Sequence, residues 1–195
     1  MRNIVIILFS LSTCFIVNVV NAQCRKINSV YWEQINDSIK KETIASKEMN
    51  ADVVNYYNKN FNISDDEKLP LLLKILTSEP KNRNIKALYF YLFNKICMKA
   101  DGATADGLGN YCQKVIINDP VYALSYFSSH NLIMKTYAHL LGYEFYFKEI
   151  KMSSLQYDFN DFKKLINDKI ANSINLQKTF NDFSSEIEKI MKNMD

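Results

Sequence analysis

The sequence predicts an all-α protein: a helical bundle, or a short solenoid-like array of antiparallel helix pairs, closed by a long C-terminal helical segment. Three observations carry this. Apolar residues recur at steps of three and four along most of residues 29–194. Glycine and proline are scarce, four and three in 195 residues, whereas a β-sandwich or barrel needs many tight turns built from both. Only five valines follow Ala22, and no apolar–polar alternation runs long enough to make a half-buried strand.

Residues 1–22 read as a secretory signal peptide, with the fold left to one helical domain over residues 23–195. Arg2 supplies a positive start, and Ile4 to Phe9 open an apolar stretch that continues to Val20. Val20-Asn21-Ala22 ends it with the modest side chains a signal peptidase accepts. Ser10, Ser12, Thr13 and Asn18 dilute the stretch, and no basic cluster halts it, so it is a poor membrane anchor. Gln23 precedes Cys24 where a lipid-attachment signal wants a small residue. Cys24 could also stay free or pair with another chain.

Beyond residue 28 the elements follow in order. Trp32, Ile35 and Ile39 share one helical face, and Met49, Val53, Tyr57 and Phe61 share another. Ser64 and Glu67 have capping-box spacing, leading into Leu69, Leu72, Leu73 and Leu76. Pro70 lies inside that pattern and is tolerated only in a first turn. From Ile85 to Ala100 a helix turns Ile85, Leu88, Tyr89, Leu92, Phe93 and Ile96 inward. Phe90 and Tyr91 make it apolar on its other side too, so it should be central.

Three of the four glycines lie between Gly102 and Gly109, which predicts a turn before a helix through Leu108, Tyr111, Cys112, Val115 and Ile116. Asp119-Pro120 marks a stop and restart, with Asp119 as N-cap and Pro120 at the first helical position. A short helix through Val121, Leu124 and Phe127 breaks at Ser128-Ser129-His130, and helix resumes from Leu132 to Ile150. In residues 154–194 the apolar steps alternate four and three: Leu155, Phe159, Phe162, Ile166, then Leu176, Phe180, Phe183, Ile187, Ile190 and Met194. The phase slips near Asn172-Ser173, so the segment is either one helix with a stutter or a hairpin of two.

Export admits disulfides. If the chain reverses near residues 101–106, Cys97 and Cys112 sit at similar heights on antiparallel helices, and a bridge between them, given facing Cβ atoms, would close a loop worth about 3 kcal/mol in the chain-entropy model. Two small apolar core residues are the plainer reading of the same pair.

Catalytic and metal signals are weak. Asp101-Gly102-Ala103-Thr104-Ala105-Asp106 lacks oxygen ligands at the third and fifth positions of a calcium loop. His130 and His139 stand nine residues apart, no spacing for one zinc-binding helix face with Glu144. No nucleophile-elbow, HExxH or phosphate-loop pattern occurs. A net charge of +3 with both signs interspersed is no nucleic-acid signature.

Aromatic excess is the remaining signal: twelve Tyr, twelve Phe and one Trp. Tyr143, Phe145, Tyr146 and Phe147 span more than half a helical circumference, so they cannot all face one core. Tyrosine that is apolar at one end and wet at the other suits an interface, and Tyr137, Tyr143 and Tyr146 are the expected interaction surface. The expectation is a non-catalytic protein, without cofactor or metal, in the periplasm or outside the cell. It would bind another protein of a bacterial envelope, as an inhibitor, immunity or assembly factor does. It would not bind nucleic acid, and it would keep no stable membrane span once the signal is cleaved. A carrier of a hydrophobic small molecule or lipid between helices is the alternative.

Overall fold

The computed structural model describes residues 29–60, 68–101, 105, 107–150, 153 and 155–194. The expected signal peptide, Cys24, the Ser64–Glu67 capping box and most of the 101–107 turn lie outside these residues. Among the described residues there is no strand. They form a 3-10 turn at Trp32–Gln34 and nine α-helices. In chain order these are α1 (Asp37–Ile44), α2 (Ala51–Tyr57), α3 (Lys68–Leu76), α4 (Arg83–Lys99), α5 (Leu108–Asn118), α6 (Pro120–Phe127), α7 (Asn131–Glu149), α8 (Phe159–Ile170) and α9 (Ile174–Lys192).

Side-chain caps set most of the starts. Asn36, Asn50, Asn82, Asp119, Asp158 and Ser173 each accept a hydrogen bond from a first-turn backbone N–H, which satisfies donors that have no partner inside the helix. Asp119 also positions Pro120, whose missing N–H costs nothing there. Pro70 sits in the first turn of α3 for the same reason.

The first predicted helix is corrected. Trp32, Ile35 and Ile39 do not share a face, because Asn36 is extended (ψ 157°) and starts α1 by accepting from the Ile39 N–H. Trp32 and Ile35 are buried, and Ile39 is 37% exposed. The second face is shortened: α2 starts after the extended Asn50 cap and ends at Tyr57, so Met49 precedes it, Val53 is buried and Tyr57 half-buried on it, and Phe61 lies outside the described residues. Leu72, Leu73 and Leu76 are buried on α3, and Ile85, Leu88, Tyr89, Phe90, Leu92, Phe93 and Ile96 on α4. The 3-10 turn, α1 and α3 all pack on α4.

The second centre is α7. Its longest contact is with α9 and its next with α5. Gly142 permits the first approach: a Cβ there would stand 2.7 Å from Ile190 Cγ2. Gly109 permits the second, since its Cβ would meet the Leu140 carbonyl oxygen at 2.7 Å. A solenoid repeat touches only its neighbours in sequence. Here α9 packs on α7 and α6, and α8 also packs on α6, so the chain forms a bundle.

The C-terminal segment is a hairpin. The phase slip falls in the turn between α8 and α9, where Ser173 caps α9, and at the far end of the hairpin a Lys163–Glu188 ion pair (2.7 Å) ties the two helices. Leu176, Phe180, Phe183 and Ile187 are buried as expected, Ile190 is half-buried against Gly142, and Met191 rather than Met194 is buried at the end of the seam. A straight helix drifts from a strict seven-residue repeat by about 20° per heptad, and one more turn brings Met191 inward.

Candidate functional site

The aromatic cluster of α7 divides between core and surface. Tyr137 is corrected: it is fully buried, and its hydroxyl donates to Asn94 Oδ1 on α4 at 2.6 Å. Its ring meets Phe93 and Phe127 edge-on, at 5.8 and 5.0 Å between centroids. Tyr137 therefore lies on the face that α4 and α6 cover, and it contributes nothing to a surface. Phe145 is also fully buried, against Phe159 and Phe162 of α8.

Tyr143 points outward, 42% exposed, with Phe147 at 36% and Ile150 at 48%. Exposed His139 sets its ring 4.8 Å from that of Tyr143. His139, Tyr143 and Phe147 thus form a stripe at four-residue steps, continued by Ile150 at the end of α7. Tyr146 is half-buried beside the stripe, its ring 5.8 Å from Phe147. Of the three expected surface tyrosines, the fold places one in the core, one at the edge of the stripe and one within it.

A second feature lies at the other end of α7. An open groove of about 680 Å³ runs between α4 and the α6–α7 junction, lined in part by Glu33, Tyr91, Lys95, Met98, His130 and Leu132. Its wall is built on Tyr126. The Tyr126 hydroxyl donates to Glu33 Oε1 at 2.9 Å, and the His130 ring stacks flat on the Tyr126 ring at 3.7 Å. Nδ1 of His130 lies 2.9 Å from the Tyr126 carbonyl oxygen. The same nitrogen lies 3.0 Å from Ser129 Oγ, so it donates to the carbonyl when protonated and accepts from the hydroxyl when not. Burial lifts the Tyr126 hydroxyl well above the usual tyrosine pKa, and the Glu33 carboxylate adds to the rise.

The same aromatic cluster pins the N-terminal segment: Tyr31 meets the rings of Tyr122 and Tyr126 at 5.0 and 4.9 Å, and the Tyr122 hydroxyl donates to the Val30 carbonyl. Helical period by itself does not find this groove, since it joins residues far apart in sequence. The one local signal is Tyr91, Asn94, Lys95 and Met98, a second face on α4 at steps of three, one and three.

The two histidines stay apart in role. His130 is held by Tyr126, and His139 belongs to the exposed stripe. Glu144 accepts from Ser153 Oγ at 2.7 Å. Among the described residues no three His, Cys, Asp or Glu side chains converge as a metal site would require. Cys97 and Cys112 do come together, buried and with their sulfurs 3.9 Å apart, as two thiols. No described helix is long and apolar enough to cross a membrane. Comparison of the chain with protein-family models, curated proteins and solved structures finds no match.

Proposed function

We propose that this is an exported, non-catalytic helical protein that binds another protein of the envelope through the outer face of α7. One observation carries the reading: the stripe of His139, Tyr143, Phe147 and Ile150 leaves large apolar side chains in solvent. Phe145 and Tyr137 on the same helix are buried. The helix is therefore already anchored without the stripe, which is free to meet a partner. Burying one such side chain is worth roughly 1.5–3 kcal/mol, so two or three adjacent ones suffice for a hot spot. The groove favours this reading over a lipid carrier. It is open, and Glu33, Lys95, Lys99 and His130 on its walls would be costly to desolvate against an acyl chain.

The test is capture from the native envelope, comparing the wild type with a Tyr143→Ala/Phe147→Ala variant. The variant should melt within about 2 °C of the wild type, because the removed rings are partly solvated. It should also lose a protein that the wild type retains. Equal capture of the same proteins by both would refute the interface. The exported form should begin at Gln23, and an intact Met1 in the membrane fraction would refute export.

A further inference from the structure

We propose that Cys97 and Cys112 are an oxidation site, and that their product is an intramolecular disulfide joining α4 to α5. The two sulfurs are already in van der Waals contact at 3.9 Å. Forming the bond asks them to close to about 2.05 Å. Cys97 lies in the last turn of α4, and Cys112 lies in the first half of α5. Both are buried, 3% and 0% exposed, so each has the other as its near reaction partner and is shielded from others.

The chemistry is thiol–disulfide exchange with an external disulfide, R–S–S–R. One cysteine thiolate attacks a sulfur of R–S–S–R, forms a mixed disulfide and releases R–S⁻. The second cysteine thiolate attacks the protein-bound sulfur of that mixed disulfide and releases the second R–S⁻. Two cysteine thiols lose two electrons and two protons, and R–S–S–R becomes two R–SH. Burial holds the Cys112 thiol well above its usual pKa, with Cys97 and the Glu144 carboxylate adding to the rise. In the folded chain the thiolate is therefore scarce. Exchange belongs to the stage of folding before α4 and α5 close over the pair.

The position of the bond gives it a consequence. Helix α4 gathers the 3-10 turn, α1 and α3, whereas α5 packs on α6 and α7. These two groups are also tied without covalent bonds, near this level by the Tyr137 hydroxyl, which donates to Asn94 Oδ1 at 2.6 Å, and towards the far ends of α4 and α5 by two polar links. Lys86 pairs with Asp119 at 2.6 Å, and Asn118 Nδ2 donates to the Thr77 carbonyl at 3.3 Å. A bridge adds a covalent tie between the groups and removes loop-closure freedom from the unfolded chain. The proposal rests on the export reading only for the source of its oxidant, and the experiment supplies that oxidant itself.

The purified protein is unfolded in reductant and refolded either in reduced and oxidised glutathione or in excess dithiothreitol. In the glutathione sample, peptide mapping should find Cys97 linked to Cys112, and the melting temperature should stand several degrees above that of the reduced sample. Cys97→Ala and Cys112→Ala should each abolish the difference, and Cys24→Ser should leave it intact. The proposal is overturned if both thiols remain free after refolding with oxidised glutathione, if either pairs with Cys24, or if the bridged protein melts no higher than the reduced one.

Discussion

Removing a single oxygen atom, by Tyr137→Phe, tests the buried polar contact between α4 and α7. The Tyr137 ring is fully buried between Phe93 and Phe127, and those contacts survive in phenylalanine. What is lost is the donor to Asn94 Oδ1, a 2.6 Å bond in an interior closed to water. An amide oxygen left buried without its donor costs about 1–3 kcal/mol. At roughly 2–4 °C per kcal/mol for a chain of this size, the melting temperature should fall by about 2–12 °C. Denaturant unfolding should show the midpoint falling at unchanged slope, which marks lost stability rather than a changed fold. Asn94→Leu, of similar shape, should cost a comparable amount by orphaning the tyrosine hydroxyl instead. The double variant Tyr137→Phe/Asn94→Leu should recover most of the loss, because replacing both partners leaves no polar group unpaired. Two single variants within about 0.3 kcal/mol of the wild type, or a double variant whose loss is their sum, would refute the buried pair.

Two further expectations concern packing and protonation. Gly142→Ala places a methyl 2.7 Å from Ile190 Cγ2 and 2.9 Å from Ile190 Cβ. The gain in helix propensity, about 1 kcal/mol, is then outweighed by overpacking of about 1–3 kcal/mol. Thermal melting should therefore fall, and a rise would contradict the close α7–α9 seam. Burial, the leading cause in each case, raises the pKa of Tyr31, Tyr89, Tyr122, Tyr126 and Tyr137 in the fold and pushes Tyr56 to about 12. The folded chain thus keeps protons that the unfolded chain releases near pH 10, so stability is full below that pH and declines as pH climbs towards the folded values. Tyrosinate absorbance followed together with circular dichroism should show ionisation and helix loss rising in step. Full ionisation with helix intact would show that these hydroxyls are solvated.

The sequence by itself determined that the chain is helical and where most helices lie. Its apolar steps, its scarcity of glycine and proline, and the Asp119-Pro120 restart are all local features, and helix geometry is a local property. It also showed that Tyr143 to Phe147 could not all be core, because a helical circumference is fixed by 3.6 residues per turn. It did not choose which side was covered. That choice belongs to α4, α5, α6, α8 and α9, elements tens of residues away, which bury Tyr137 and Phe145 and leave Tyr143 and Phe147 in solvent. Trp32, Ile35 and Ile39 fit one period equally well, but the cap at Asn36 broke it and the docking of Tyr31 on Tyr122 and Tyr126 settled the entry of the chain. The groove on Tyr126 and Glu33 leaves one local trace, the second face of α4 at Tyr91, Asn94, Lys95 and Met98, and its other walls come from residues far away in sequence. For Cys97 and Cys112 the spacing allowed contact, but only the packing of α4 and α5 brought the sulfurs to 3.9 Å. Period and capping act within one turn of helix, whereas the covering of a face depends on which distant faces fill the remaining volume.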